Sequence, residues 1–130
     1  LGLPMLCANP DIVVDFGDKR LWCAGALARN YEAMGGRALY FGKPHPPIYD
    51  LARRRLGALR KGDPQILCIG DGIATDVQGG MAEGLDTLFI TGGIDAAAFG
   101  PDSNHPDPAL LEPWLATRQL SATFAMGHLR

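Results

Sequence analysis

The 130-residue chain has the length of one ordinary domain, or of part of a larger protein, and 47% of its residues are hydrophobic, which is enough to form a buried core. Twelve basic residues stand against fourteen acidic ones, so the net charge of −2 excludes the basic surface that non-specific binding to nucleic acid requires. No stretch approaches the roughly 20 consecutive apolar residues of a membrane-spanning helix.

The first part of the sequence predicts a strand–helix–strand unit. Extended chain over residues 1–14 leads to a turn at Phe16-Gly17-Asp18. From Leu21 onwards apolar residues recur at helical spacing, and Gly35-Gly36 ends this helix. Residues 38–41 then read as a buried strand, which Gly42-Lys43-Pro44 closes.

The rest of the sequence repeats this alternation, which is typical of an α/β fold with parallel strands. The predicted elements are an amphipathic helix over 48–59, an apolar strand at 65–69, a helix at 75–83, a buried strand at 86–90, a loop over 99–108, a helix at 108–117 and a final strand at 122–126. The 65–69 strand is apolar throughout, a pattern that suits a strand covered on both faces.

Polar and glycine-rich residues follow three of the predicted strands, where ligands bind in an open parallel sheet. Asp71 comes directly after the 65–69 strand, between Gly70 and Gly72. Carboxylates in this position suit Mg²⁺, which takes one or two protein carboxylates and completes its coordination with water and phosphate. Asp76 and Thr75 follow at the start of the next helix, where they could also act only as helix caps.

Lys43 lies 28 residues before Asp71, a spacing that can bring both to the same rim of the sheet. Pro44 is predicted at the first position of the following helix, which puts Lys43 at or beside its cap. A lysine there can neutralise phosphate charge and hold acidic side chains together. His45 follows in the same turn, whereas His105 and His128 have no partner in the sequence and predict no role.

The three cysteines, Cys7, Cys23 and Cys68, are far apart and have no spacing typical of zinc ligands. They fit small apolar thiols in a reducing compartment, so a cytoplasmic location is expected. Residues 1–8 are apolar but lack a basic segment in front, so no signal peptide is predicted.

The sequence resembles the haloacid dehalogenase superfamily at Gly42-Lys43-Pro44 and at Gly70-Asp71-Gly72-Ile73-Ala74-Thr75-Asp76. It is most similar to class IIA, the group of sugar-phosphate, nucleotide and pyridoxal-phosphate phosphatases. Further likeness lies in Asn9-Pro10-Asp11 and Gly25-Ala26-Leu27, near the end of that family's inserted cap, and in Asp86-Thr87-Leu88 and Thr91-Gly92. The resemblance extends over roughly residues 7 to 95.

The resemblance implies a Mg²⁺-dependent phosphohydrolase that forms an aspartyl-phosphate on a small phosphorylated metabolite. It implies that Asp71 is a metal ligand and that Asp76 supports the metal or the lysine. It also implies that Lys43 stabilises the nucleophile and the transferring phosphoryl group. Gly70 and Thr75 would contact the substrate's side of the site. Asn9, Asp11 and, more weakly, Cys23 would lie near the substrate-facing side of the cap.

Two motifs of the family are absent from these 130 residues: the nucleophile sequence Asp-x-Asp-Gly-Thr/Val and the Ser/Thr phosphate-binding motif. The chain begins with Leu1, so we interpret it as a C-terminal portion, with the end of the cap at 1–42 and the second half of the core at 43–130. Such a chain is expected to be inactive alone. Its 65–69 strand would present an open apolar edge, which predicts a homo-oligomer or another association.

Two other interpretations stay open at this level. The chain could be a non-enzymatic half-domain that binds a partner chain, although a pure scaffold has no use for the polar residues Lys43, Asp71, Thr75 and Asp76. It could also be a different doubly wound domain of the receiver type, but no acidic pair ends its first strand.

Overall fold

A computed structural model of the chain describes residues 2–62 and 64–129 and divides into two compact units, Leu1–Lys61 and Gly62–Arg130. The first unit contains a two-stranded parallel sheet and a separate hairpin, and the second contains a three-stranded parallel sheet. Alternation of helices with parallel strands confirms the α/β class. Within the described ranges, every helix falls short of the length and apolar character needed to cross a membrane.

Strand β1 (Met5–Cys7) and strand β4 (Ala38–Tyr40) form the parallel sheet of the first unit, with Cys7 opposite Tyr40. Helix α1 (Ala24–Ala33) connects them and buries Gly25 and Ala28. This is the strand–helix–strand unit that the sequence predicted. Because the two strands are parallel, the residues that follow them leave the sheet at the same edge.

A β-hairpin, formed by β2 (Val13–Phe16) and β3 (Lys19–Trp22), stands where the helix was expected to begin. Its two-residue loop starts with Gly17, whose φ of +59° suits the first central position of a type II′ turn. The prediction that the helix starts at Leu21 is therefore wrong. Leu21 has helical spacing to the later apolar residues, but it pairs with Val14 across the hairpin.

Helix α2 (Pro46–Leu59) contains the predicted 48–59 stripe but begins two residues after Pro44, which was predicted at its first position. Pro46 occupies the favoured first turn and His45 is the N-cap, so Lys43 and Pro44 lie in the turn before the helix and not at its cap. No residue of α2 is buried, although Ile48 and Leu51 belong to its apolar stripe.

The second unit is built on the strand order β5 (Leu67–Gly70), β6 (Asp86–Ile90) and β7 (Phe124–Met126), all parallel. A π-helical turn (Ile73–Val77) continues into α3 (Gln78–Ala82) between β5 and β6. A 3₁₀ turn (Ala96–Phe99) and helix α4 (Pro108–Ala116) lie between β6 and β7.

The core of the second unit forms around Phe89 of β6, which is fully buried. Val77, Phe99 and Leu111 pack with it, and Trp114 closes the cluster at its border. Phe99 meets both Phe89 and Trp114 edge to face, at centroid distances of 5.8 and 5.0 Å. Each such pair contributes about 0.5–1.5 kcal/mol beyond its burial. This cluster stabilises the sheet whose strands carry the candidate site at their carboxyl ends.

Two predictions for the second unit need correction. The helical segment begins at Ile73 and not at Thr75, and its N-cap is Gly72, so Thr75 does not cap it. Strand β5 is not covered on both faces, because the side chains of Leu67 and Ile69 remain 44% and 48% exposed. In the described part of the chain β5 pairs only with β6, which leaves its other edge open. The exposed face and the open edge are thus on the same strand.

Candidate functional site

The two candidate metal-binding carboxylates lie at the carboxyl end of β5. Asp71 follows the last residue of that strand and is half-buried, whereas Asp76 is only 6% exposed. The tight π-helical turn brings Asp76 back toward the strand end: its N–H donates to the Gly72 carbonyl (2.7 Å), and its Oδ2 accepts the Gly72 N–H (3.1 Å). The side chain of Asp76, and not that of Thr75, therefore accepts a backbone N–H at the start of this helical segment.

Three glycines make room for these carboxylates. A Cβ on Gly70 would overlap the Asp76 carboxylate, and a Cβ on Gly93, after β6, would overlap the Asp71 carboxylate. A Cβ on Gly72 would overlap the Thr75 hydroxyl and come within 3.1 Å of Asp76 Oδ2. The structure thus brings together four predicted site residues, Gly70, Asp71, Thr75 and Asp76. They form a cradle in which the Asp71, Thr75 and Asp76 side chains occupy the room that side chains at positions 70, 72 and 93 would need.

The two carboxylates of this cradle are the kind of oxygen ligand that a hard divalent cation takes. The described residues contain no group of three or more His, Cys, Asp or Glu side chains able to hold a metal ion. Mg²⁺ does not need one, because it is held through one or two carboxylates and keeps several waters.

The predicted site residues of the first unit lie where β1 and β4 end. The Phe41 N–H donates to the Cys7 carbonyl (2.9 Å), and a Cβ on Gly42 would overlap the Ala8 carbonyl and the Pro10 ring. The loop that carries Lys43 is therefore packed directly against the Asn9-Pro10-Asp11 loop. Only glycine at position 42 allows this approach.

Asn9 shapes its own loop. Its side-chain oxygen accepts the Asp11 N–H (3.1 Å), and its amide nitrogen contacts Cys23 Sγ at 3.8 Å. Cys7 Sγ donates to the Asn9 carbonyl at 3.3 Å, and all three cysteines are in the reduced form. The structure therefore groups Asn9, Asp11 and Cys23. Their contact with a substrate stays a prediction.

Lys43 is exposed and lies in a turn that is held in place by two contacts of His45. The His45 N–H donates to the Gly42 carbonyl (3.0 Å), and the His45 ring stacks on Tyr40 at 4.9 Å between centroids. The Tyr40 hydroxyl donates to Glu32 Oε2 (2.8 Å), and this hydrogen bond raises the pKa of Tyr40. Lys43 belongs to the first unit and Asp71 to the second, so their predicted proximity remains a prediction.

Sequence reasoning missed a second polar group, which involves two histidines of the second unit. His105 Nδ1 lies 2.8 Å from Asp102 Oδ2, and the hydrogen bond to His105 lowers the pKa of Asp102. His128 Nε2 lies 3.2 Å from Ser103 Oγ. Both rings line a cavity of about 520 Å³ with Leu111 and other residues of this region.

Only part of this group has a signal in the sequence. Asp102 Oδ1 accepts the Asn104 N–H (2.9 Å), the Asx turn that Asp-Ser-Asn commonly forms, and His105 follows it by one residue. Nothing in the sequence links His128 to Ser103, because 25 residues separate them and only the fold brings them together.

Comparison with known proteins gives a family match. The family described as HAD-hydrolase-like matches residues 40–112. Dihydroxyacetone phosphatase from Corynebacterium glutamicum is 32% identical over 94 residues, which is 72% of this chain and 33% of that protein. Ribonucleotide monophosphatase NagD from Escherichia coli is 29% identical over 118 residues, 85% of this chain and 45% of that protein.

A solved structure also resembles this one over nearly the whole chain. The crystal structure of a haloacid dehalogenase-like hydrolase from Brucella suis aligns with a TM-score of 0.73 and 42% identity, covering 99% of this chain and 45% of that one. The chain thus spans between a third and a half of the length of the relatives that it matches.

Proposed function

The chain belongs to the HAD-hydrolase-like family, and from this we propose that it supplies part of the active site of a Mg²⁺-dependent phosphohydrolase. The reaction would cleave a small phosphomonoester through an aspartyl-phosphate. The observation that carries this proposal is the carboxylate cradle at the end of β5, where the lack of side chains on Gly70 and Gly93 lets the Asp76 and Asp71 carboxylates lie directly against the backbone. Relatives named as phosphatases support the reaction class.

Asp71 would hold Mg²⁺ directly, and the bound ion would neutralise charge on the phosphoryl oxygens. Asp76 is nearly buried and tied to the Gly72 N–H, so it would act mainly by fixing the loop and adding negative charge beside the ion. Thr75 and Gly70 border the same space and would contact the substrate's side of it.

Lys43 would supply a positive charge for the phosphoryl group and for the nucleophile's carboxylate. It is exposed at a strand end and held on a turn that packs against the Asn9-Pro10-Asp11 loop. Asn9 and Asp11 would then contribute to substrate recognition on that side.

The covalent step needs an aspartate that these 130 residues do not provide in the family's Asp-x-Asp-Gly context. Lysine and metal-binding carboxylates stabilise charge but do not accept the phosphoryl group. We therefore propose that this chain acts with a nucleophile-bearing segment and does not hydrolyse substrate by itself.

Metal binding tests the proposal on the chain as it exists. We expect Mn²⁺, used as a paramagnetic probe for Mg²⁺, to broaden amide resonances around Gly70 and Gly93. Asp71→Asn should weaken binding at least about tenfold. The matched control is Asp86→Asn, because Asp86 is the first residue of β6 and lies at the amino ends of the strands, away from the candidate site. Equal losses in both variants, or no binding by the unmodified chain, would contradict the proposal.

The open edge of β5 favours a second candidate, a non-enzymatic half-domain that binds a partner chain. Leu67 and Ile69 project from this strand half-exposed, and exposed apolar edges promote pairing with another chain. The reading frame before the Leu1 codon distinguishes the two candidates. An in-frame strand followed by Asp-x-Asp-Gly favours the phosphohydrolase, and a stop codon with a start near Leu1 favours the half-domain.

A further inference from the structure

The Asp71 carboxylate rests on a turn that follows β6. A Cβ on Gly93 would overlap the Cβ, Cγ and Oδ2 atoms of Asp71, so the Gly93 backbone forms one wall of the Asp71 pocket. Any displacement of this turn toward or away from β5 changes the space that the carboxylate occupies.

The last strand and the residue after it hold the turn. The Thr91 N–H and the Thr91 hydroxyl both donate to the Met126 carbonyl, at 2.9 and 3.2 Å, and the Gly92 N–H donates to the Gly127 carbonyl at 2.8 Å. Thr91 is only 2% exposed, so these bonds are shielded from water. A Cβ on Gly92 would overlap the His128 ring.

Residues 127 and 128 are anchored in turn by the loop before α4. A Cβ on Gly127 would overlap backbone atoms of Ser103 and Asn104, and His128 Nε2 lies 3.2 Å from Ser103 Oγ. Contacts therefore run without a gap from the 103–104 loop through residues 126–128 and the 91–93 turn to Asp71.

We propose that Thr91 and His128 are positioning residues that fix the Asp71 carboxylate through the 91–93 turn. Neither touches the substrate's side of the site in this scheme; each acts through Gly92 and Gly93. The inference rests on the proposed function only for its meaning in catalysis, because the position of Asp71 can be measured without metal or substrate. The C-terminal segment thereby becomes part of the candidate metal site, although none of its residues is a ligand.

The test compares Thr91→Val, His128→Ala and the conservative Thr91→Ser with Thr123→Val in the full 130-residue chain. Thr123 is the matched control because its hydroxyl also ties the chain around β7 to β6. It lies just before β7, accepts the Thr87 N–H and donates to Asp86, but at the amino ends of the strands. Thermal unfolding reports the loss of stability. The Asp71 carboxyl ¹³C resonance reports the position of that side chain, and Mn²⁺ titration reports metal affinity.

We expect Thr91→Val and His128→Ala to move the Asp71 carboxyl resonance and to weaken Mn²⁺ binding by about tenfold, the lower end of the effect of residues that orient metal ligands. Thr91→Ser keeps the hydroxyl, so it should leave both the Asp71 resonance and the Mn²⁺ affinity as they are in the unmodified chain. Thr123→Val should lower thermal stability but leave the Asp71 resonance in place. An unchanged Asp71 resonance in Thr91→Val, or an equal change in Thr123→Val, would overturn the inference. If the unmodified chain binds no Mn²⁺, the metal site fails, and the carboxyl resonance alone still decides the positioning role.

Discussion

Glycine at position 70 is required by the atoms that lie next to it and not by backbone flexibility. Its φ is not positive, but any Cβ there would overlap the buried carboxylate of Asp76. The same reasoning applies to Gly93 and Asp71. Single missing side chains therefore determine whether the two carboxylates can occupy the strand end.

Gly70→Ala is expected to destabilise the fold by about 1–3 kcal/mol, the usual cost of forcing an extra methyl group into a filled space. It should also weaken Mn²⁺ binding, because Asp76 must move. Thermal unfolding and Mn²⁺ titration measure the two effects. Gly57→Ala is the control, because Gly57 lies within α2 and a Cβ at position 57 would meet only open space. This variant should be more stable by about 0.5–1 kcal/mol and should bind Mn²⁺ with unchanged affinity. Equal stability of the two variants would show that position 70 has room for a side chain.

The Asp102–His105 pair predicts a pH effect at a single residue. The hydrogen bond to His105 lowers the pKa of Asp102 in the folded chain, so the ionised carboxylate stabilises the fold above its unfolded pKa of about 3.9. This contribution is lost as the pH falls through the lower, folded pKa. His105→Ala should raise the pKa of Asp102 toward the ordinary value in an NMR titration. His45→Ala, in the other unit, should not change it.

At the scale of elements, the sequence predicted best where one residue pattern admits one structure. Strand β6 has the predicted bounds, Asp86–Ile90, because an apolar run lies between glycine-containing turns. The hairpin of β2 and β3 was missed because it is short, and because Leu21 fits the helical spacing of the residues that follow. Local spacing could not reveal pairing across the turn, which depends on the Val14–Leu21 register.

The β5 edge carries a prediction about association. Ile69 is 48% exposed on the edge strand, so Ile69→Lys adds a charge where another strand would pair. We expect the unmodified chain to associate in sedimentation velocity runs at increasing concentration, and Ile69→Lys to reduce that association. Met34→Lys is the control, since Met34 is 79% exposed at the end of α1, outside any sheet. A compact monomer at all concentrations would contradict the prediction.

At the scale of the whole molecule, the charged residues of the candidate site could be predicted from the sequence, but the residues that hold them in place could not. Asp71, Asp76 and Lys43 follow strands and carry charge, which a sequence shows directly. The structure groups the first two, and it adds Gly93, Thr91 and His128 around them. Those residues come from distant parts of the chain, and backbone hydrogen bonds join them, so no local pattern marks them.

The same scale sets the final prediction, which concerns catalysis by the chain alone. Hydrolysis through an aspartyl-phosphate needs a carboxylate nucleophile placed in line with the phosphoryl group, and these 130 residues contain no Asp-x-Asp-Gly segment. Asp71 would be engaged by the metal, and Asp76 is buried and hydrogen-bonded to Gly72. We therefore expect no turnover of p-nitrophenyl phosphate above the buffer rate at saturating Mg²⁺, with Asp71→Asn giving the same background. Mg²⁺-dependent turnover by the unmodified chain that disappears in Asp71→Asn would mean that one of its own residues acts as the nucleophile.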